Sequence, residues 1–275
     1  MAVINTNVAA ALTANALTKN ERVLSQSMER LATGSRINNA GDDAAGLAVA
    51  SSMTAQIRGL DMAAKNANDA ISMIQTADGA TIEIGNMLQR MRELAVQAST
   101  GHYVATDLDA LDKEFQELIA EIERVADQTQ FNGTNIIDNT VGTTGTVTFQ
   151  VGADASQTMT VAFGNLQTAG DLLVSALDVD TVANAQTAIT TIDTALTTLN
   201  TQRATYGAAI NRLEFTVDNL NIMSTNTQAS RSRIQDADYA SESTALASSQ
   251  IIQQAGTAML AQANQQAQTV LALLK

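Results

Sequence analysis

The spacing of hydrophobic residues predicts several long helices. From Val182 to Leu220, apolar residues recur in alternating steps of three and four, and Arg203 is the one interruption. At 1.5 Å per residue, this run predicts a coiled-coil-like helix roughly 58 Å long. The same spacing recurs in Ile57–Ala98, with a slip in its middle, and in Leu108–Val125. We expect these three helices to form a bundle.

Two positions in these runs predict local features. Gly207 lies inside the longest run, where a glycine costs about 1 kcal/mol relative to alanine, so it predicts the close approach of another helix. Thr106 stands where it would cap the helix over 108–125, and Asp107 and Asp109 suit the first turn of that helix.

Between Phe131 and Gly170 the hydrophobic period changes to that of a strand. Two short stretches alternate apolar and polar residues, and segment 152–156 between them has the character of a turn. Glycines are also concentrated in this region. The pattern predicts a β-hairpin whose apolar positions are Val147, Phe149, Val151, Met159, Val161 and Phe163.

The two ends of the chain combine helical heptads with an absence of charge. Neither Met1–Thr18 nor Ser243–Leu274 contains an ionisable side chain, although the chain has 28 acidic residues and 15 lysines plus arginines. Because exposed helices normally keep charges, we interpret both ends as segments that pack on each other and on copies of this chain. The residues expected to pair in a narrow, alanine-lined coiled coil are Leu17, Leu24 and Leu31 with Ile252, Met259 and Leu273.

Composition and charge exclude several classes of protein. A net charge of −13 opposes binding to nucleic acid or anionic lipid through a basic patch. Glutamines interrupt the uncharged C-terminal stretch, so membrane insertion is not expected. The start of the chain lacks the basic residues and the continuous apolar run of a cleavable signal peptide. This indicates either a cytoplasmic protein or one that is exported without cleavage.

Cysteine and proline are both missing from the sequence. Without cysteine there is no disulfide, no thiolate nucleophile and no cysteine-based metal site. The lack of proline permits long uninterrupted helices. It is explained either by helical bias alone or by selection for rapid folding after transport as an unfolded thread.

The sequence contains few candidate catalytic residues. His102 is the single histidine, and it stands beside Gly101 in an expected loop, where a solvated side chain is favoured over a catalytic one. Asp42 and Asp43 are adjacent, so on a helix they would point about 100° apart and serve poorly as an acid–base pair. We interpret them as acids at a helix start. No enzymatic activity and no cofactor are predicted.

One segment is more specific than these patterns. The sequence LATGSRINNAGDDAAGLAVA at 31–50 resembles the N-terminal signature of bacterial flagellin. Four further stretches are similar to the same family: LQRMRELAVQASTG at 88–101, FNGTNII at 131–137, SRIQDADYASE at 232–242 and IIQQAGTAMLAQANQ at 251–265. The likeness therefore covers nearly everything outside the glycine-rich centre.

The resemblance implies a mainly α-helical fold, with a long antiparallel bundle, a small β-hairpin region and an elongated, hairpin-like chain path. The implied domains are a terminal coiled-coil filament core of 1–42 with 234–275, and a helical bundle of 43–233 with its β region at about 131–170. About 40 residues separate Asn139 from Val179, so the outer domains of longer flagellins are expected to be absent. The family motif at the domain junction corresponds to Arg36, Ile37, Asn38, Asp42 and Asp43.

The resemblance also implies a role. Such a chain would be exported unfolded, without a cleaved signal peptide, and would polymerise into the extracellular filament used for swimming. Its expected partners are further flagellin subunits, an export chaperone and the filament cap and junction proteins. In the family, apolar residues at the C-terminus serve packing, chaperone protection and cytosolic innate sensing. They correspond to Val270, Leu271, Leu273 and Leu274.

Two more sites are expected. The stretch around residue 90 resembles the part of flagellin that an animal innate immune receptor reads, which assigns recognition to Gln89, Arg90, Leu94 and Glu114. The alternative is that Arg90 and Glu93 are solvated or contact a neighbouring subunit. Separately, Thr143, Thr144 and Thr146 are candidate acceptors of O-linked sugars, although threonine is equally at home in strands.

Two other classes remain as alternatives. A flagellar hook-filament junction protein shares the terminal helices, but the receptor-like stretch and the short middle favour a filament subunit. A helical signalling or adhesin module would explain the heptads, yet it would not require uncharged helices at both ends.

Overall fold

The computed structural model describes residues 7–272, with side chains described as far as residue 265. Contacts divide the chain into a terminal unit, residues 1–55 with 226–275, and a central unit, residues 56–225. The domain boundaries near residues 42 and 233 expected from the sequence stay a prediction. The helices are α1 Val8–Thr33, α2 Ala44–Ala98, α3 Ala105–Gln128, α4 Val182–Gln235 and α5 Tyr239–Ala272.

The central unit is built around antiparallel α2 and α4. Arg92 pairs with Asp193 at 2.7 Å, and Arg203 pairs with Asp78 at 2.9 Å. From Asp78 to Arg92 on α2, the paired residue on α4 moves back from Arg203 to Asp193. The two helices therefore run in opposite directions. Arg203, which interrupts the hydrophobic pattern, therefore lies at the exposed edge of the helix pair and forms an ion pair there.

The long seam predicted on α4 is confirmed. Every seventh residue of the seam is buried, and in three heptads the alanine three residues further on is buried as well. Thus Ala188, Ala195 and Ala209 are buried, whereas their neighbours Ile189, Leu196 and Ile210 are only half-buried. Small residues let the helices approach closely. The buried heptad positions are Ala185, Ile192, Leu199, Tyr206, Leu213 and Leu220.

Two local predictions in these helices are wrong. Helix α3 begins at Ala105 with Val104 as its N-cap, and no side chain caps it, so Thr106 already lies inside the first turn. Asp107 does lie in that turn, as expected. A Cβ atom added to Gly207 would meet nothing within 4 Å, so no other helix in the described chain approaches there.

The β-hairpin predicted between 131 and 170 is confirmed. Strand β3, Thr146–Gln150, pairs antiparallel with β4, Thr158–Ala162. A smaller pair, β1 Gln130–Phe131 and β2 Thr134–Asn135, precedes it. The Tyr206 hydroxyl on α4 donates a hydrogen bond to the backbone oxygen of Phe163 at 2.5 Å, which holds the end of the hairpin on the helix.

Helix α1 of the terminal unit has defined signals at both ends. The Asn7 side chain accepts a hydrogen bond from the Ala10 amide, which satisfies one of the free donors of the first turn. At the other end Gly34 adopts a left-handed conformation with φ of 70°, and its amide bonds to the Arg30 carbonyl oxygen. The chain then turns towards α2.

Candidate functional site

The two ends of the chain meet in an antiparallel pair formed by α1 and α5. Asn7 Nδ2 donates to the Ala263 carbonyl oxygen at 3.2 Å, and Asn20 Nδ2 donates to the Ser249 carbonyl oxygen at 2.7 Å. At the opposite end, the Tyr239 hydroxyl donates to the Leu31 carbonyl oxygen at 3.2 Å. These three bonds run along the whole pair and fix its register.

Small and polar residues occupy much of the seam between α1 and α5. Ser27 and Ser249 are the most deeply buried positions of the two helices. Gly256 allows a close approach, since a Cβ atom there would lie 3.3 Å from Leu17 Cδ1. The least exposed positions on α1 follow a heptad: Ala10, Thr13, Leu17, Asn20, Leu24, Ser27 and Leu31. Those on α5 include Glu242, Ser249, Gln253, Gly256, Leu260 and Ala263.

The predicted pairing is correct for α1 and wrong for α5. Leu17, Leu24 and Leu31 lie half-buried in the seam, as expected. Ile252 and Met259 are exposed, because Gln253, Gly256 and Leu260 take the seam positions in their place. The heptad that contains Ile252 and Met259 therefore lies on the flank of α5. Leu273 lies outside the described residues.

Large apolar side chains remain exposed on both terminal helices. Leu12 is 72% exposed, Ile251 is 66% exposed and Met259 is 59% exposed. Val8, Val23, Met28 and Ile252 are exposed as well. The side chains of Val270 and Leu271, and the whole of Leu273 and Leu274, lie outside the described residues. The described part of the pair thus carries an apolar surface that no other described residue covers.

The family motif forms a clamp between the turn after α1 and the turn after α4. Ser35 and Asp236 form an isolated antiparallel bridge. The Arg36 amide donates to the Gln235 oxygen at 2.6 Å, and the Ala237 amide donates to the Gly34 oxygen at 2.9 Å. The Arg36 guanidinium adds a bond to the Ile234 oxygen at 2.6 Å. These bonds tie the inner ends of the terminal helices together.

The two adjacent aspartates have separate structural tasks. Asp42 accepts hydrogen bonds from the Asn38 and Asn39 amides at 3.1 and 3.0 Å, and from Gln26 Nε2 at 2.8 Å. These donors, led by the Asn39 amide, lower the pKa of Asp42. Asp43 accepts from the Gly46 amide at 2.8 Å, as an acid at a helix start should. The interpretation as a helix-start acid is confirmed for Asp43 and wrong for Asp42, whose carboxylate binds amides of the preceding turn instead of the start of α2.

The remaining motif residues stabilise the same turn. Ile37 is buried, and the Asn38 side chain donates to the Ser35 carbonyl oxygen at 3.0 Å. A Cβ atom on Gly46 would lie only 2.7 Å from Ile37 Cδ1, so the start of α2 needs glycine to accommodate that side chain. Ile37, Asn38 and Asp42 therefore stabilise the turn itself, while Arg36 reaches the end of α4 and Asp43 the start of α2.

The predicted receptor-recognition residues divide between surface and core. Arg90 donates from Nε and Nη2 to Glu114 Oε1 at 2.9 and 2.8 Å, and from Nη1 to Glu93 Oε2 at 3.0 Å. Glu114 and then Glu93 raise the pKa of Arg90. Gln89 is exposed beside them. Leu94 is 1% exposed, so its side chain packs in the core, and its assignment to receptor recognition stays a prediction.

The candidate glycan acceptors surround a tight turn. Thr143 and Thr144 are exposed, whereas Thr146 is half-buried at the start of β3. The Thr143 amide bonds to the Thr146 oxygen at 3.0 Å, and the reverse bond is 3.2 Å long. Gly142 adopts φ of 61°, which lets the backbone close on Thr146. Access favours the first two threonines.

Among the described residues we find no candidate metal site and no candidate membrane-spanning helix. Residues 7–272 hold no group of three or more histidine, cysteine or acidic side chains arranged for a metal ion. His102 rests against Tyr103, with ring centroids 4.2 Å apart. Within the same residues, no helix is both long and apolar enough to cross a membrane.

This geometry defines a class of protein: a helical chain whose N- and C-terminal helices pair in opposite directions and expose large apolar residues. Two family models match it, the bacterial flagellin N-terminal helical region over residues 4–142 and the bacterial flagellin C-terminal helical region over residues 189–274. The chain belongs to the bacterial flagellin family, whose members form the extracellular flagellar filament and are structural proteins rather than enzymes.

Individual relatives agree with this assignment. The chain is 48% identical to a flagellin of Halalkalibacterium halodurans over 251 residues, covering 91% of each protein. It is 43% identical to a flagellin of Bacillus subtilis, covering 99% of each. The crystal structure of Bacillus cereus flagellin superimposes with a TM-score of 0.51 and 40% identity, covering 57% of this chain and 88% of that one.

Proposed function

We propose that this subunit polymerises through the exposed apolar residues of α1 and α5 and that the resulting filament serves swimming. The observation that carries the proposal is that the terminal pair leaves many of its large apolar residues exposed while small and polar residues share its seam with leucines. Ser27, Ser249 and Gly256 occupy its seam, while Leu12, Ile251 and Met259 face outwards. A pair built to stand alone would place these exposed apolar residues inside as well.

The energetics favour burial of this surface against further copies. Covering one large apolar side chain contributes about 1.5–3 kcal/mol, and several are available on each subunit. Since Met1–Thr18 and Ser243–Leu274 carry no ionisable side chain, association removes no ion from water there. Both ends of the chain therefore suit the interior of a polymer.

Seeded elongation of the full-length chain tests the proposal. Ile252→Asp and Met259→Asp should each slow growth from sheared filaments by about a hundredfold or more, because an unpaired charge would be buried at the contact. The matched control is Val104→Asp. Val104 is also exposed, but it stands at the N-cap of α3, where aspartate is favourable.

The same experiment has a clear contradictory result. Circular dichroism of the monomers establishes that each variant keeps its helices. If Ile252→Asp and Met259→Asp chains then elongate at the rate of the Val104→Asp control, the terminal pair does not form the polymer contact.

Recognition of the free subunit by an innate immune receptor is a second proposed role. The supporting observation is the exposed network in which Glu114 and Glu93 hold the Arg90 guanidinium in place. A fixed guanidinium loses little freedom when it binds a partner. Leu94 contributes only by packing beneath the network. Arg90→Asp should abolish signalling in a receptor reporter assay.

Arg124 supplies the matched control for that assay. It lies on α3, is about as exposed as Arg90 and pairs with Glu121 in a similar way. Arg124→Asp should leave signalling unchanged. Full signalling from Arg90→Asp, or equal losses from both variants, would contradict a role for this network.

The route to the filament and its accessory partners are also proposed. The family assignment supports export in an unfolded state, with an export chaperone, cap and junction proteins as partners. Co-purification with full-length and Leu273→Asp chains tests the chaperone. Intact-mass analysis of filaments from the native organism tests Thr143 and Thr144 as glycan acceptors.

A further inference from the structure

Helix α5 has two adjacent faces that could pack against α1. The seam face, which packs there in the structure, is formed by Glu242, Leu246, Ser249, Gln253, Gly256 and Leu260. The flank face lies one residue earlier in each turn and is formed by Ser241, Ala245, Ser248, Ile252, Ala255 and Met259. Rotation of α5 by about 100° about its own axis would exchange the two faces.

Hydrophobic burial does not select the seam face. Each face offers two large apolar residues. The seam face also withdraws Glu242 and Gln253 from water, whereas the flank face holds only alanine and serine beside its apolar residues. Since removing a carboxylate and an amide from water is costly, apolar packing alone would favour the flank face. Another contact must therefore set the rotation of α5.

Most polar contacts across the seam end on backbone oxygens. Asn7, Asn20 and Tyr239 donate to the carbonyl oxygens of residues 263, 249 and 31. The clamp beside them is also built on backbone oxygens. These bonds hold the two helices at one position along their length. Because every residue carries such an oxygen, they do not specify which side chains of α5 face α1.

Arg30 and Glu242 form a contact of a different kind, between two side chains. Arg30 Nη1 lies 3.8 Å from Glu242 Oε1, and the two side chains are only 24% and 14% exposed. Among the described residues, this is the only ion pair between α1 and α5. Rotation of α5 to its flank face would put Ser241 in the place of Glu242 and leave the guanidinium without a carboxylate.

The geometry of this ion pair is poor for stability. Its 3.8 Å separation exceeds hydrogen-bond distance, and Arg30 Nε is buried without a hydrogen-bond partner. A buried ion pair is often no more stabilising than two packed apolar residues, whereas removal of one partner leaves an unpaired charge at high cost. In helix pairs, a single polar position of this kind selects one arrangement among several.

We propose that Arg30 and Glu242 are positioning residues that set the rotation of α5 against α1. Their contact keeps Gly256 in the seam and holds Ile252 and Met259 on the outside of the pair. The inference rests on the proposed filament role in one respect, since that role gives the exposed Ile252 and Met259 their task.

Engineered disulfides measure the rotation in the full-length monomer, because the chain has no cysteine of its own. Leu17→Cys with Gly256→Cys places both thiols in the seam, where a Cβ atom at 256 lies 3.3 Å from Leu17 Cδ1. Leu17→Cys with Ala255→Cys places the second thiol on the exposed flank face. Since a disulfide needs Cβ atoms that lie close together, the first pair should close at least about tenfold faster than the second.

Replacement of both charges by leucine tests the ion pair. Arg30→Leu with Glu242→Leu keeps good helix formers at both positions, and the ratio of the two closure rates should fall to within about threefold. Arg30→Glu with Glu242→Arg exchanges the charges and should restore most of the ratio. Lys19→Leu with Glu21→Leu is the matched control, because it makes a comparable change at exposed positions of α1 and should leave the ratio unchanged.

Peroxide oxidation of the chain without added cysteines gives an independent measurement. Met28 on α1 and Met259 on α5 are both exposed. Rotation to the flank face would cover Met259, so Arg30→Leu with Glu242→Leu should slow its oxidation by about threefold or more relative to Met28. A loss of stability alone would not slow this reaction, so the measurement separates positioning from a purely structural role.

The outcomes keep this inference apart from the proposed terminal contact, because both measurements use the monomer. An unchanged ratio of closure rates in the leucine variant would overturn the inference, as would a Met259 oxidation rate that stays the same or rises. An equal shift in the Lys19→Leu, Glu21→Leu control would also overturn it. Normal seeded elongation of the Ile252→Asp and Met259→Asp chains would instead contradict the terminal contact.

Discussion

Asn20 donates a hydrogen bond from its side chain to the backbone oxygen of Ser249, 2.7 Å away on the opposite terminal helix. The contact joins residues that are 229 positions apart, so it forms only when the two ends of the chain come together. It also shows that the α1–α5 pair is specified in part by polar contacts. Several large apolar residues of these helices, among them Leu12, Ile251 and Met259, remain exposed beside it.

Asn20→Ala should weaken the terminal pair selectively. Loss of one half-buried hydrogen bond costs about 0.5–1.5 kcal/mol, and amide hydrogen exchange in α1 should accelerate accordingly. Asn15→Ala is the matched control, because Asn15 is exposed on the same helix. Equal exchange in the two variants would mean that the bond contributes nothing to the pairing.

Tyr206 provides a test of how the hairpin is attached. Its hydroxyl is buried and donates to the Phe163 oxygen, and burial raises the pKa of this phenol. Tyr206→Phe leaves that oxygen without its partner and should lower the free energy of unfolding by about 1–3 kcal/mol. Tyr103→Phe, which removes an exposed hydroxyl bonded to Gln97, should have an effect near zero in the same denaturant titration.

Gly207 and Gly85 predict opposite responses to alanine. A new Cβ at Gly207 would meet nothing within 4 Å, so Gly207→Ala should stabilise the monomer by about 1 kcal/mol. At Gly85 the new Cβ would lie 3.3 Å from Leu199 Cδ2, and crowding should remove most of that gain. Thermal unfolding of the two variants measures the difference directly. Equal increases in stability would show that Leu199 moves aside at little cost and that the new Cβ at Gly85 causes no crowding.

Asp42 and Asp178 predict pH dependences of opposite sign. Hydrogen bonds from backbone amides lower the pKa of Asp42, so its stabilisation is present above the unfolded-state pKa and is lost as the pH falls through the lower folded-state pKa. Asp42→Asn should therefore destabilise the chain at pH 7, and the deficit should disappear in acid. Urea unfolding at pH 7 and near pH 3 provides the comparison.

Asp178 follows the opposite course. Burial, followed by the charges of Asp180 and Asp112, raises its pKa, and its Oδ1 atom is buried without a hydrogen-bond partner. The favourable contribution is complete below the unfolded-state pKa and is lost as the pH rises through the higher folded-state pKa. Asp178→Asn should therefore stabilise the chain at pH 7, with the gain shrinking in acid. The same direction of change for both asparagine variants would contradict these assignments.

The sequence predicts the long helices well because their cores are apolar and periodic. Leu199, Tyr206 and Leu213 lie at the predicted spacing, and the alternation around Phe149 and Val161 identifies the hairpin. The burial of Leu94 is not indicated by the seam on α2, because α3 also packs on that part of the helix. A helix with two neighbours buries a broader face than a single heptad seam indicates.

Hydrophobicity alone does not predict which residues of α5 form the seam with α1. Ser249, Gln253 and Gly256 pack against α1, while Ile252 lies beside them and remains exposed. On α5, hydrophobic periodicity alone therefore predicts a buried face that is shifted by one residue from the face that the structure buries. The contact of Arg36 cannot be predicted from the sequence for another reason. Its guanidinium binds the backbone oxygen of Ile234, and every residue carries such an oxygen.

Methionine oxidation in monomer and filament tests the central claim most directly. Met28 and Met259 are exposed on the terminal helices, whereas Met91 is buried in the central unit and reports local opening. Added free methionine calibrates the dose of peroxide. The account predicts that Met28 and Met259 are oxidised readily in the monomer and at least about tenfold more slowly in the filament, since copies of the chain would cover them. Equal oxidation rates in the two states would contradict assembly through the terminal helices.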